Sequence, residues 1–153
     1  QTISQPYTVV FMLELLAVGE GDVVLEAGFG SGWQTALLAH LVGAEGRVHG
    51  FEIVPELCAF GVQNLTRFPS VDARVTAYCR SATNGVPELS GTLDRIIAAA
   101  AAETVPQAWR WQLRTGGMLI YPSGHSLWWE KKARGDHWKK EEFPGFVFVP
   151  YHA

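Results

Sequence analysis

The residues with the clearest chemical potential form the run Glu26-Ala27-Gly28-Phe29-Gly30-Ser31-Gly32. It is an acid followed by glycines at every second position. Glycine lets the backbone turn sharply and approach a ligand closely. A short apolar strand pattern, Val23 to Glu26, precedes the loop, and a helical apolar pattern, Trp33 to Val42, follows it. The free amides of that helix start face whatever the loop holds. The dinucleotide fingerprint G-x-G-x-x-G does not fit, because the third glycine comes one residue early and Trp33 stands where the last should be. The G-x-S-x-G elbow of hydrolases does not fit either, since Gly30 and Gly32 flank Ser31 directly.

A second acid, Glu52, ends the next strand pattern, Arg47 to Ile53, 20 residues after Gly32. A carboxylate there can accept hydrogen bonds from two ribose hydroxyls. Each feature alone has an ordinary explanation, a structural turn or a solvent-facing acid. Together, in a strand-loop-helix-strand frame, they point to an adenosyl cofactor. A G-x-G-x-G loop after an acid is the form used by S-adenosylmethionine enzymes.

The elements that must position these groups alternate. Helix patterns cover Pro6 to Val18, Trp33 to Val42, Pro55 to about Leu65 and Val105 to Leu113. Strand patterns cover Val23 to Glu26, Arg47 to Ile53, Ala73 to Tyr78 and Arg95 to Ala99. After a turn at Gly116-Gly117, further strands are expected at Met118 to Tyr121, Ser126 to Lys132 and Phe146 to Val149, the last two flanking a charged loop. This alternation predicts an α/β domain with a mostly parallel sheet.

Bulk properties narrow the function. The chain has 153 residues, 48% of them hydrophobic and 18% charged, which is the composition of one ordinary globular domain. The net charge of -3 gives no global basic field for nucleic acid. Lys131, Lys132 and Arg134 are followed by Asp136, Glu141 and Glu142, the pattern of a solvated hairpin. The two cysteines, Cys58 and Cys79, make no CxxC pair, and a disulfide framework calls for more of them. The expected setting is the reducing cytosol. No apolar run is long enough to span a bilayer, and no signal peptide is visible. The five histidines are scattered without ligand spacing, so no metal site is expected. Trp109 and Trp111 must face different sides of a helix, and Trp128 and Trp129 opposite faces of a strand, with one of each pair expected in the core.

At this point the residues resemble those of the protein-L-isoaspartate O-methyltransferase family. Gln1-Thr2-Ile3-Ser4-Gln5-Pro6-Tyr7 looks like the segment that opens the family's core. Gly32-Trp33-Gln34-Thr35-Ala36, Phe51-Glu52-Ile53-Val54-Pro55-Glu56-Leu57, Asp94-Arg95-Ile96-Ile97, Gly116 to Pro122 and Phe148-Val149-Pro150 resemble its later blocks. The resemblance implies a Rossmann-like class I S-adenosylmethionine-dependent methyltransferase, with a doubly wound, mostly parallel sheet and helices on both faces. It implies a single methyltransferase domain over 1–153, with a substrate-site segment and first helix at 1–18 and a cofactor-binding core at 22–153. The implied reaction is methylation of the carboxylate of L-isoaspartyl residues in damaged proteins and peptides, with S-adenosyl-L-homocysteine as product. Ser4 would be the active-site serine that hydrogen-bonds that carboxylate, or a cap of the following helix, or both. Thr2 and Ile3 would line the same wall beside the cofactor. Gly28, Gly30 and Gly32 would pass under its methionine part, with Glu26 anchoring the loop. Glu52, flanked by Ile53, would hold the ribose. A cytoplasmic monomer with no nucleic-acid or membrane partner is expected.

Four departures from the family pattern bear on this. Arg80-Ser81-Ala82 stands where the family has Gly-Asp-Gly, so Ser81 and Ala82 fall at the adenine position, and Ser81 offers a weaker bond than a carboxylate. Ala98 to Ala102 followed by Glu103 replaces a segment that carries a hydroxyl, and an acid near the site would disfavour a carboxylate substrate. Phe29 replaces a small residue in the glycine loop. Family members also carry a stretch ahead of Gln1 that helps cover the site, so this chain is either a piece of a longer protein or a short version with an open site. These departures leave two alternatives: a related methyltransferase with another acceptor, or a non-catalytic domain that only binds the cofactor.

Overall fold

Strands buried on both faces are rich in apolar residues, and two such strands lie at the centre of one sheet: β1 (Val23–Ala27), buried from Val24 onward, and β4 (Leu93–Ala98), buried through Ile96, Ile97 and Ala98. The computed structural model describes residues 3–152. Beside β1 lie β2 (Arg47–Phe51) and then β3 (Val75–Tyr78), and beside β4 lies β5 (Leu113–Ser123). These five pair in parallel, in the order β3-β2-β1-β4-β5. The sheet then continues antiparallel through β6 (Ser126–Lys132) and β7 (Trp138–Pro144). The order reverses at β1, which opens a crevice beyond the carboxyl ends of the strands.

Successive strand residues serve opposite layers. Leu25, Phe51, Ile96 and Leu119 pack with Trp109 of α5 (Gln107–Gln112). Val24, Val48, Ile97 and Ile120 pack against α1 (Pro6–Leu16), through Val9, Met12 and Leu16, and against α2 (Trp33–Leu41), through Leu38 and Ala39. Trp109 is fully buried while Trp111 is exposed, as their spacing requires. Trp128 and Trp129 also serve opposite layers, but both are half-buried.

The antiparallel end is organised by one buried acid, Glu130. It takes hydrogen bonds from Arg110 at 3.0 Å and the Tyr121 hydroxyl at 2.7 Å, with Lys140 at 3.4 Å. Burial pushes its pKa up, but these partners outweigh it and the net shift is down.

Two expectations need correction, and one element was not anticipated. Phe146 to Val149 is not a strand. The last strand is β7, whose Lys139, Lys140, Glu141 and Glu142 made it look like a loop. On a sheet edge such charges remain in water and discourage further pairing. Phe146 to Val149 runs instead as irregular chain whose Phe146 ring stacks on Phe11 at 5.5 Å. Gly116-Gly117 is an irregularity inside β5 rather than a turn before it, because pairing jumps from Leu93–Leu113 to Arg95–Met118. Finally, a short helix, α4 (Pro69–Asp72), precedes β3.

The third helix, α3 (Pro55–Leu65), begins where its proline predicted and lies against the glycine loop. Phe29 is 4% exposed, and its ring occupies the space that side chains at Gly50 and Gly61 would need. A Cβ on Gly61 would stand 2.4 Å from the Gly30 carbonyl oxygen and 2.6 Å from the Phe29 ring. Gly61→Ala should therefore destabilise the protein by ~1–3 kcal/mol, as overpacking does. Urea unfolding measures this; an unchanged midpoint would show that the loop yields freely.

Candidate functional site

The glycine loop is hung from β2 by its backbone. The amides of Gly28 and Phe29 both donate to the Phe51 carbonyl, at 2.7 and 3.0 Å. One residue on, Glu52 is 4% exposed and uses both oxygens: Oε2 accepts from the Gly30 amide at 3.0 Å and Oε1 from the Val54 amide at 2.9 Å. A single carboxylate thus fixes the loop and the start of α3 together. Gly28 and Gly30 have φ of 88° and 52°, which other residues adopt at a cost.

Above this arrangement lies a cavity of about 300 Å³ at the carboxyl ends of β1, β2 and β4. That is the size and position of a small-molecule site in an open α/β sheet. Of the anticipated residues, Ile3, Ser4, Gly28, Gly30, Glu52, Ile53, Ser81 and Ala82 line it. Gly32 does not. It stands at the start of α2 with φ 81°, against the Gly61 carbonyl and Leu65. Glu26 is not in the lining either. It is fully buried below it, and the lining residue Gln34 donates to its Oε1 at 2.9 Å. Thr2 lies outside the described residues.

Ser4 does not cap α1. The cap position is Gln5, and no side chain bonds to the helix start. Glu103 is exposed and outside the lining, so the acid that the altered loop introduces does not face the cavity. Its neighbours Ala99 and Ala100 do.

Sequence reasoning missed several lining groups. Gln34 was visible only as part of a helix start. Arg80 reaches over the stacked rings of Phe51 and Tyr78, at 4.9 and 5.1 Å, and donates to the Gly85 carbonyl. Tyr151 comes from the irregular chain after β7. Its hydroxyl meets that of Thr83 at 2.9 Å, and Thr83 in turn meets Ser81 at 2.9 Å. Trp109 holds the same loop by donating to the Ala82 carbonyl at 2.8 Å. No local pattern marks these partners, which meet across 68 and 27 residues of chain.

The electrostatics centre on Glu26. Burial raises its pKa to about 7, the Thr35 and Gln34 side chains pull the other way, and the charge of Glu52 adds to the rise. Its second oxygen makes no hydrogen bond of good geometry among the described residues.

The crevice, the glycine loop and the strand-end acid define a class I S-adenosylmethionine-dependent methyltransferase fold. The family profile described as Protein-L-isoaspartate(D-aspartate) O-methyltransferase matches residues 1–152. The protein-L-isoaspartate O-methyltransferase of Thermococcus onnurineus is 41% identical over 98% of this chain and 69% of its own length. That of Methanopyrus kandleri is 37% identical over 98% of this chain and 67% of its own. A solved protein-L-isoaspartate O-methyltransferase superposes with a TM-score of 0.91 at 26% identity, over all of this chain and 49% of that one. A Plasmodium falciparum structure solved with S-adenosyl-L-homocysteine gives 0.89 at 24%, over 99% and 76%, a likeness of fold. This chain belongs to the protein-L-isoaspartate O-methyltransferase family. It spans about two thirds of the length of these curated relatives and half of the first solved structure.

Glu26 generates a pH prediction. Its folded pKa of about 7 lies above the ordinary 4.5, so between those values the folded state binds more protons than the unfolded. Stability then falls as pH rises through that window, by at most ~1.4 kcal/mol per pH unit from this group. Glu26→Gln should remove that slope. Thermal melts from pH 4.5 to 8 test it; a slope unchanged in the variant would place its origin elsewhere.

Proposed function

We propose that this chain methylates the carboxylate of L-isoaspartyl residues in damaged proteins and peptides, using S-adenosyl-L-methionine. One observation carries the reading beyond family membership: Ser4 and Glu52, from opposite ends of the implied reaction, line one cavity. The whole of 1–153 acts as one methyltransferase domain, with a substrate segment and first helix at 1–18 and a cofactor core at 22–153.

The residues present fit the cofactor. A Cβ on Gly30 would enter open space, so the loop leaves room for a ligand to lie against the backbone. Glu52 keeps lone pairs for ribose hydroxyls beyond its two amide bonds. Ile53 and the backbone of Ser81 and Ala82 would border the base, and Ile3, on the same wall as Ser4, would border the substrate side near the cofactor, the wall to which Thr2 is also assigned by resemblance. The cofactor supplies an electrophilic methyl on a sulfonium, a good leaving group. An isoaspartyl carboxylate is already ionised at neutral pH, with a reference pKa of ~4, so no general base is required. The chain's task is to hold a carboxylate oxygen in line, and orientation can contribute as much as ~7–11 kcal/mol. Ser4 does this as a hydrogen-bond donor. Glu26, buried under the loop with Gln34, positions the loop rather than touching substrate.

The protein works as a cytoplasmic monomer on polypeptide substrates, without nucleic-acid or membrane partners. Among the described residues no helix is long and apolar enough to cross a membrane.

Transfer from labelled S-adenosylmethionine to an isoaspartyl peptide, compared with its aspartyl twin, tests the reaction. Transfer to the isoaspartyl peptide alone is expected. Ser4→Ala should lower kcat/KM by ~10–100-fold, the worth of one bond to a charged group. Cofactor binding without transfer would favour another acceptor. In calorimetry, Glu52→Gln should weaken S-adenosylhomocysteine binding by ~10-fold or more, since charge-assisted bonds to the ribose are lost; unchanged affinity would remove Glu52 from the site.

A further inference from the structure

Cys58 and Cys79 are joined by a disulfide, with their Cα atoms 5.6 Å apart. Two cysteines are too few for a disulfide framework, yet the fold brings this one pair together. The position of this bond is informative. Cys58 lies in the first turns of α3, is fully buried, and follows Leu57, which lines the cavity. Cys79 directly follows β3, is exposed, and precedes Arg80 and Ser81, which also line it.

The bond therefore couples the two elements that border the base end of the cavity. The other ties of this loop run elsewhere. Within the loop Arg80 donates to Gly85 and lies over Phe51 of β2, while Ala82 accepts from Trp109 and Thr83 pairs with Tyr151. Those contacts fasten the loop to β2, to α5 and to the chain after β7, whereas the disulfide fastens it to α3.

We propose that Cys58 and Cys79 form a redox-sensitive clamp on the base end of the cofactor cavity, with the disulfide form binding the adenosyl group more tightly than the dithiol. The inference rests on the cofactor reading given above. Opening is thiol–disulfide exchange. The thiolate of a small-molecule thiol attacks the sulfur of exposed Cys79, the Cys58–Cys79 bond breaks, and buried Cys58 leaves as a thiolate and takes up a proton. A second thiol attacks the outer sulfur of the mixed disulfide and releases Cys79, so two thiols are oxidised to one small-molecule disulfide. Closing is the reverse, with a small-molecule disulfide as oxidant. In a reducing compartment the clamp is open, and affinity rises as the thiol pool becomes oxidised.

The experiment is calorimetric titration of S-adenosylhomocysteine into the protein equilibrated with oxidised glutathione and, separately, with excess dithiothreitol. Thiol titration and intact mass confirm each state. The reduced form should bind ~10-fold more weakly, as for a loop that is binding-competent about a tenth of the time. Cys79→Ser, at the exposed position, should bind like the reduced form and ignore dithiothreitol, with circular dichroism confirming that it is folded. Equal affinities in the two states, with only the melting temperature shifted, would make the bond merely structural and overturn the clamp alone. A pair that stays reduced in oxidised glutathione would also overturn it. No binding in either state would overturn the clamp and the cofactor reading together.

Discussion

The site depends on the double use of one buried carboxylate. Glu52 binds the Gly30 amide with one oxygen and the Val54 amide with the other. The glycines of the loop have no side chains with which to hold themselves, and their positive φ values leave them many alternatives in the unfolded chain. Hanging it from the end of β2 removes those alternatives. The same two bonds set where α3 begins, and α3 carries Gly61, the residue that leaves room for Phe29 and for the Gly30 carbonyl. Loop, strand end and helix are one rigid unit because each closes a hydrogen bond or a packing gap of another.

The opposite border of the cavity is held differently. The loop 79–83 is irregular, and its order comes from partners distant in sequence: the Trp109 indole, the Tyr151 hydroxyl and the sulfur of Cys58. An indole N–H buried without a partner would cost free energy, so the bond from Trp109 to Ala82 satisfies the core and positions the loop together. This border of the site thus depends on α5, on the chain after β7 and, through Cys58, on α3, whereas the glycine border depends on β2 and α3.

Two buried acids show how context sets charge. Among the described residues Glu26 has the Gln34 amide and the Thr35 side chain beside it and no cation, so burial wins and its pKa rises. Glu130 is also shielded from solvent but lies less deep and meets Arg110, Lys140 and a phenol, and its pKa falls. The first lies under the cofactor loop, where a fixed full charge would be costly. The second secures the antiparallel end of the sheet, where removing one partner would leave a buried charge unmatched.

The fold class and the glycine border of the site were legible in the sequence. Both rest on short-range pattern: apolar runs of strand length, glycines at every second residue, prolines at helix starts and an acid at a strand end. Such signals are written in consecutive residues, because backbone conformation responds first to neighbours. Tertiary structure decided what depends on long-range approach. Charge in 138–144 suggested a loop, but pairing with β6 made it an edge strand. Gly32 looked like a ligand contact, but it starts α2 against Gly61 and Leu65 and is not among the residues that line the cavity. Glu103 looked like an intruding charge, yet it lies in solvent. Arg80, Tyr151 and the Cys58–Cys79 bond gave no local sign of their roles, since only the assembled sheet brings residues 20 to 70 positions apart within reach of one cavity.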